Sequence, residues 1–281
     1  MKTRIISGIV MILIVAAVLA LGFTVSGWFI TVFIALAAAG AVFELLKNAF
    51  GIKSKTALIG ACVYSALMIF ALDNVVCTKL QMFCNIKFPT EYTLAAGISV
   101  LYFIFAAVCC LALHKYFTTA HIAALCAFPL PIAYAFSALG ALVSHENGLY
   151  YLLLLLNFSS VCDMGAYFVG STMGRHKLCP SISPKKTVEG AVGGIVAALI
   201  VSVIIVLSFS ASERLVPVLI ITVPFCILGM IGDLFASVIK RAAGIKDYGR
   251  LIPGHGGVID RVDSILMTAP LLYLLVCAGV I

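Results

Sequence analysis

The sequence predicts an all-α polytopic integral membrane protein with about nine transmembrane helices and its amino terminus on the cytoplasmic side. Three observations carry that expectation. Of 281 residues, 63% are hydrophobic and 10% charged, with a mean hydropathy of +1.20, whereas a soluble domain carries about 25% charged residues. Apolar runs recur at roughly the 20-residue length that crosses a bilayer as a helix. Basic residues also sort to one side of the resulting arrangement, as the positive-inside rule requires.

The runs follow in order. A basic start at Lys2 and Arg4 precedes an apolar stretch over residues 5–23. Small residues near its end suit a signal peptide, but a second apolar run begins at Trp28, after a link too short to release a soluble domain. The pair therefore reads as a helical hairpin. The second run covers residues 28–46, with Trp28 and Phe29 placed where aromatic rings favour an interface. The third covers 56–72. A polar segment at 73–91 holds Cys77 and Cys84, which face outward, where a disulfide can form; two unpaired thiols fit equally well. Further spans are expected at 92–114, 121–143, 149–170, 188–208, 215–236 and 265–281, with a polar loop at 171–187.

With nine spans, the inner side holds Lys2, Arg4, Lys47, Lys53, Lys55, Lys115, Arg175, Lys177, Lys185, Lys186, Lys240, Arg241, Lys246, Arg250 and Arg261. Only Lys79, Lys87 and Arg214 fall outside. The formal net charge of +7 thus sets orientation and is no sign of nucleic-acid binding. The ten cysteines show no Cys-x-x-Cys spacing, which speaks against a thiolate metal centre.

Against this apolar background, charge gathers in two cytoplasmic places. In the first, Asp233, Ser237 and Arg241 recur every four residues and share one helix face, with Lys240 beside them. Asp260, Arg261 and Asp263 follow, the two carboxylates one helical turn apart. Between these groups, Gly254, Gly256 and Gly257 surround His255; glycines let backbone amides approach an anion and form a nest. In the second place, Asp163 lies inside a span, where an ionisable group normally marks function. Tyr167, Gly170 and Gly174 continue its face, and the glycines suit close helix packing equally well. Lys185 and Lys186 stand beside Ser183 and Thr187 at a helix start, a setting that attracts phosphate. As topology determinants they need no such role, and His176 and His255 also suit plain interfacial positions. Carboxylates suit Mg²⁺ and clustered cations suit phosphate. The combination points to phosphoryl or nucleotidyl transfer.

The stretch 237–263 resembles the signature of phosphatidate cytidylyltransferases, also called CDP-diacylglycerol synthases. It presents Ser237, Lys240 with Arg241, Lys246 with Asp247, the turn Pro253, His255, Gly256, Gly257, and the close of Asp260, Arg261 and Asp263. Asp163, Gly170, Gly174, Arg175 and the run from Ser183 through Lys185, Lys186, Thr187 and Glu189 to Gly190 resemble that family's second conserved region. The resemblance implies transfer of a cytidylyl group from CTP to phosphatidate in the inner leaflet, with release of pyrophosphate, for phospholipid synthesis. It implies Asp233, Asp260 and Asp263 as metal ligands and catalytic groups, holding two Mg²⁺ or a Mg²⁺ and a monovalent ion such as K⁺. Lys240 and Arg241 join them as catalytic cations. Ser237, Lys185, Lys186, His255, Gly256, Gly257, Arg261 and Asp163 are the expected substrate contacts. Expected partners are CTP, phosphatidate and membrane lipid, with no nucleic acid; a homodimer is compatible with the sequence. The expected site is the cytoplasmic face of a bacterial inner membrane.

Residues 1–148 read as a scaffold of about five helices without a motif, and 149–281 as a catalytic membrane domain of about four helices with two cytoplasmic motif loops. A CTP-dependent polyprenol or phytol kinase is the first alternative and would release CDP. An ion-coupled transporter is the second, since glycine-flanked Asp163 and Asp233 suit an ion path. Charge collected at one interface, with no repeat between the halves, argues against it.

Overall fold

The computed structural model describes residues 2–73, 91–249, 251, 254 and 256–281. Cys77, Cys84 and His255 lie outside these residues, so the disulfide and the histidine contact lie outside them as well. The chain is almost wholly helical, as expected: with no water in the bilayer core, each span must satisfy its own backbone N–H and C=O groups.

The helices are α1 (Lys2–Thr24), α2 (Trp28–Glu44), α3 (Lys55–Leu72), α4 (Glu91–Ala112), α5 (Thr119–Ala127), α6 (Pro129–Val143), α7 (Gly148–Leu156), α8 (Cys162–Met173), α9 (Val188–Ser208), α10 (Leu215–Ala242) and α11 (Ile259–Cys277). Two π-helical turns, Leu45–Ala49 and Asn157–Val161, extend α2 and join α7 to α8. Among the described residues, seven segments are long and apolar enough to cross a membrane. They are Trp28–Ala49, Lys55–Leu72, Thr93–Ala112, Thr119–Val143, Gly148–Met173, Val188–Ser208 and Ser212–Ala242. The first and last expected spans correspond to α1, whose apolar stretch Ser7–Gly22 is shorter, and α11, whose first turns carry Asp260, Arg261 and Asp263.

Two local features depart from the sequence reading. The span expected at 121–143 is two helices meeting at Phe128, because Pro129 has no N–H to continue the ladder and starts a helix well. The polar loop expected at 171–187 holds an antiparallel hairpin, β1 (Lys177–Cys179) and β2 (Ser183–Thr187), with Lys177 opposite Thr187 and Cys179 opposite Ser183.

The chain forms two compact units: Met1–Ala141 with Ala243–Arg261, and Leu142–Ala242 with Val262–Ile281. Where the sequence suggests one boundary near residue 148, the contacts place the segment 243–261 with the amino-terminal helices. In the first unit, α2 packs on α1 and α3, and α3 on α4. Ala38, Ala41, Val42 and Leu46 are fully buried there with Ala57 and Ala61, and Tyr64 stacks on Tyr102 at 4.1 Å between ring centroids.

In the second unit, α9 packs on α8 and α10, and small residues let the backbones close. A methyl placed on Gly165 would lie 2.7 Å from Ala197 Cβ, and one on Gly190 2.6 Å from the carbonyl of Ala166. A polar ladder fixes the same helices deeper down: Asn157 Nδ2 donates to Ala198 O at 3.0 Å and to Ser202 Oγ at 2.9 Å, and Ser202 lies 2.8 Å from Thr222 Oγ1.

Candidate active site

In the second unit, the hairpin delivers Lys186 to Asp233. Thr187 ends β2 and caps α9, its hydroxyl accepting from the Gly190 N–H at 3.1 Å, a standard way to satisfy an orphan helix donor. Glu189, in the first turn of α9, accepts from the backbone N–H groups of Arg175 at 3.1 Å and His176 at 3.1 Å, and also pairs with the His176 ring. Both ends of the hairpin are thereby tied to one helix start. Gly170 and Gly174 lie against Thr187, so these glycines serve the packing role anticipated for them. Arg241 Nε donates to Ile182 O at 3.5 Å, so α10 also touches the hairpin turn.

Lys186 Nζ then meets Asp233 Oδ2 at 2.5 Å, with each side chain about a quarter exposed (23% and 26%). Asp163 of α8 senses the charges of both Lys186 and Asp233. On α11, Asp263 lies ahead of the apolar run that begins at Ile265 and is close enough to Asp233 to feel its charge. Close helix approach makes this possible: a methyl on Gly232 would lie 2.7 Å from the Asp263 carbonyl oxygen. Burial first, and the Asp233 charge second, push the Asp263 carboxyl up to about 7, although the Ser264 N–H and Lys240 oppose the rise. Two carboxylates so placed favour an added cation between them. Ser237 follows Asp233 by one turn and is half-buried, whereas Lys185 and Asp163 open onto the surface of the unit.

In the first unit, the segment 243–261 is held by Asp260 and by two groups that sequence reasoning passed over, Glu44 and Asn48. Asp260 Oδ2 accepts from the N–H of Tyr248 at 2.8 Å and of Gly257 at 2.9 Å. Gly256 adopts φ +86°, a conformation that L side chains rarely enter. The Gly257 amide, expected in an anion nest, is thus engaged by Asp260. Arg261 is exposed beside it. From the end of α2, Glu44 Oε2 accepts from Val258 N–H at 2.7 Å and Ile259 N–H at 3.4 Å. Asn48 Nδ2 donates to the carbonyl of the buried Tyr248 at 2.6 Å. A signal for Glu44 was present: it is an acidic residue within the second apolar run, the same criterion that marks Asp163 and Asp233.

The donor set suits Mg²⁺, which takes a few carboxylates and completes its shell with water and phosphate oxygens. Asp233 and Asp263 adjoin in the second unit, and Asp260 belongs to the first. Among the described residues, no three His, Cys, Asp or Glu side chains gather as a metal-binding group.

Fold and site together describe a polytopic membrane protein in which Lys186, Asp233 and Asp263 gather within the second unit. The chain belongs to the cytidylyltransferase family, whose profile matches residues 2–278. It is 45% identical over 132 residues to a phosphatidate cytidylyltransferase of Staphylococcus saprophyticus, covering 47% of this chain and 51% of that one. Against the Bacillus subtilis protein of the same name it is 48% identical over 113 residues, 40% of this chain and 42% of that one. For the Staphylococcus aureus protein the figures are 41% over 132 residues, 47% and 51%. The chain spans about half the length of these curated relatives.

Proposed function

We propose that this protein transfers the cytidylyl group of CTP to phosphatidate, giving CDP-diacylglycerol and pyrophosphate. The observation that carries this reading is the meeting of Lys186 with Asp233 beside Asp263, within a chain of the cytidylyltransferase family. A phosphate oxygen of phosphatidate attacks the α-phosphorus of CTP; the new P–O bond forms as the bond to the β-phosphate breaks, and pyrophosphate leaves. Little covalent work falls to the protein, so positioning and charge complementarity carry the rate.

Lys186, already aimed by the hairpin, binds a phosphate oxygen and exchanges part of its pairing with Asp233 for substrate. Asp163 helps to orient that ammonium. Lys240 and Arg241 neutralise the pyrophosphate side as it departs, and Lys185 and Arg261 add positive charge at the surface. Ser237 supports the Asp233 carboxylate. Asp233 and Asp263 would hold Mg²⁺ within the second unit, and the family resemblance assigns Asp260 the same role, with K⁺ or a second Mg²⁺ as companion; the ion would supply positive charge to the phosphate oxygens. CTP is cytosolic and phosphatidate lies in the bilayer, which supports a site at the cytoplasmic face of a bacterial inner membrane.

The test is pyrophosphate release from CTP by the purified full chain, with and without phosphatidate and Mg²⁺, and with Asp233→Asn alongside. Release that requires lipid and metal and is lost in the variant supports cytidylyl transfer. CDP formed on a polyprenol in its place overturns it in favour of a kinase. Absence of both products from folded protein removes the enzyme reading.

A further inference from the structure

We infer that Glu44, at the end of α2 in the amino-terminal scaffold, is the positioning residue for the glycine turn that carries Asp260. The inference rests on the proposed reaction for its effect on turnover, but its structural half stands on contacts within the first unit alone.

Glu44 is 6% exposed. Among the described residues, no Lys, Arg or His forms an ion pair with it. A carboxylate in that state is costly unless strong donors surround it. Its donors are the consecutive N–H groups of Val258 and Ile259, both on Oε2. Backbone N–H groups at a helix start have no partner within their own helix, and a carboxylate is a favoured acceptor there because it also meets the helix dipole. Here the cap comes from a residue 214 positions earlier in the chain and not from the preceding loop.

The fit leaves no room for a side chain at Gly249 or Gly257. A methyl on Gly249 or Gly257 would overlap the Glu44 carboxylate, so these two glycines open the approach to Glu44. One turn further along, Asn48 holds the Tyr248 carbonyl. The same short piece of chain therefore grips the loop at both ends, at Tyr248 and at Val258–Ile259. Asp260 joins Tyr248 to Gly257 from within. Val258 and Ile259 immediately precede Asp260, so the direction in which Asp260 presents its carboxylate depends on their being held. A displacement of about 1 Å at a reacting centre costs around 10²-fold in rate.

Hydrogen exchange and steady-state kinetics on the purified full chain, with Glu44→Gln, Glu44→Asp and Glu44→Ala, test this. Glutamine keeps both the reach and an acceptor oxygen, aspartate keeps the charge but is one methylene short, and alanine keeps neither. For alanine and aspartate we expect the amides of residues 257–259 to exchange at least ~10-fold faster, with α3 unchanged. In the same variants kcat for pyrophosphate release should fall by about 10²-fold, with KM for phosphatidate within ~3-fold. Glutamine should restore protection and retain kcat within ~3-fold of the parent. Unaltered exchange in Glu44→Ala overturns the inference. So does a glutamine variant as slow as alanine, which would assign the role to charge, and so does an equal loss of protection throughout α2 and α3. If the parent protein releases no pyrophosphate, the reaction proposed above fails, and the exchange measurement alone decides whether Glu44 holds the turn.

Discussion

Lys186 of the hairpin and Asp233 of α10 form an ion pair at 2.5 Å, with about a quarter of each side chain open to solvent. The residues are 47 positions apart in sequence (233 less 186), and their meeting brings the two motif regions of the second unit to one place. Such a pair adds little to stability in itself. Under the proposed reaction, its value would lie in holding an ammonium for a substrate phosphate.

Replacing Lys186 by alanine is therefore expected to lower pyrophosphate release by about 10²–10³-fold, the loss typical of removing one charge-stabilising donor. Lys185→Ala, which alters an exposed neighbour, should cost about 10-fold or less. Initial rates at saturating CTP and phosphatidate would check the order, and equal losses would contradict it.

Metal removal gives a second prediction. Chelation with EDTA should abolish turnover, and Mg²⁺ should restore it. Asp263 sits half-buried beside Asp233, so Asp263→Asn should raise the Mg²⁺ concentration for half-maximal rate by about 10–100-fold. A Mg²⁺ titration of both proteins reads this directly; unchanged half-saturation would remove Asp263 from the metal site.

Gly257→Ala places a methyl inside the Glu44 carboxylate. The expected cost is about 1–3 kcal/mol, as for other overpacked sites, measured by thermal unfolding in detergent. Glu44→Ala in the same chain should return part of that loss, because the overlap is then gone, and the two effects should be non-additive.

Glu189 fastens both ends of the hairpin through Arg175, His176 and the start of α9. Glu189→Ala should speed tryptic cleavage after Lys177, Lys185 and Lys186 by severalfold while the remaining helices stay protected. Gel analysis over time would show it; identical cleavage would mean that the Thr187 cap alone suffices.

Much of this was readable in the chain itself. Apolar run length foretold the helices. Asp233, Ser237 and Arg241 fall on one continuous helix because α10 runs unbroken to Ala242. The break at Phe128 was less visible because hydropathy is blind to the missing N–H of Pro129. The hairpin at 177–187 was hidden too: three and five residues are too few for a clear alternating pattern. Glu44 and Asn48 escaped for another reason. Glu44 stood out as an acid within an apolar run, but its partners, like that of Asn48, are backbone groups some 200 residues away, and a backbone group leaves no mark in a sequence.

The grouping of residues 243–261 with the amino-terminal helices bears on how such proteins can be recombined. A chimera that joins residues 142–281 to foreign helices would inherit every motif residue, yet arrive without the socket in which its own signature turn is seated. Grafting Glu44 and Asn48 at matching positions of the borrowed helices is the smallest change that supplies one. The seat of the signature segment thus lies on the amino-terminal helices, and exchanges between relatives should keep the two together.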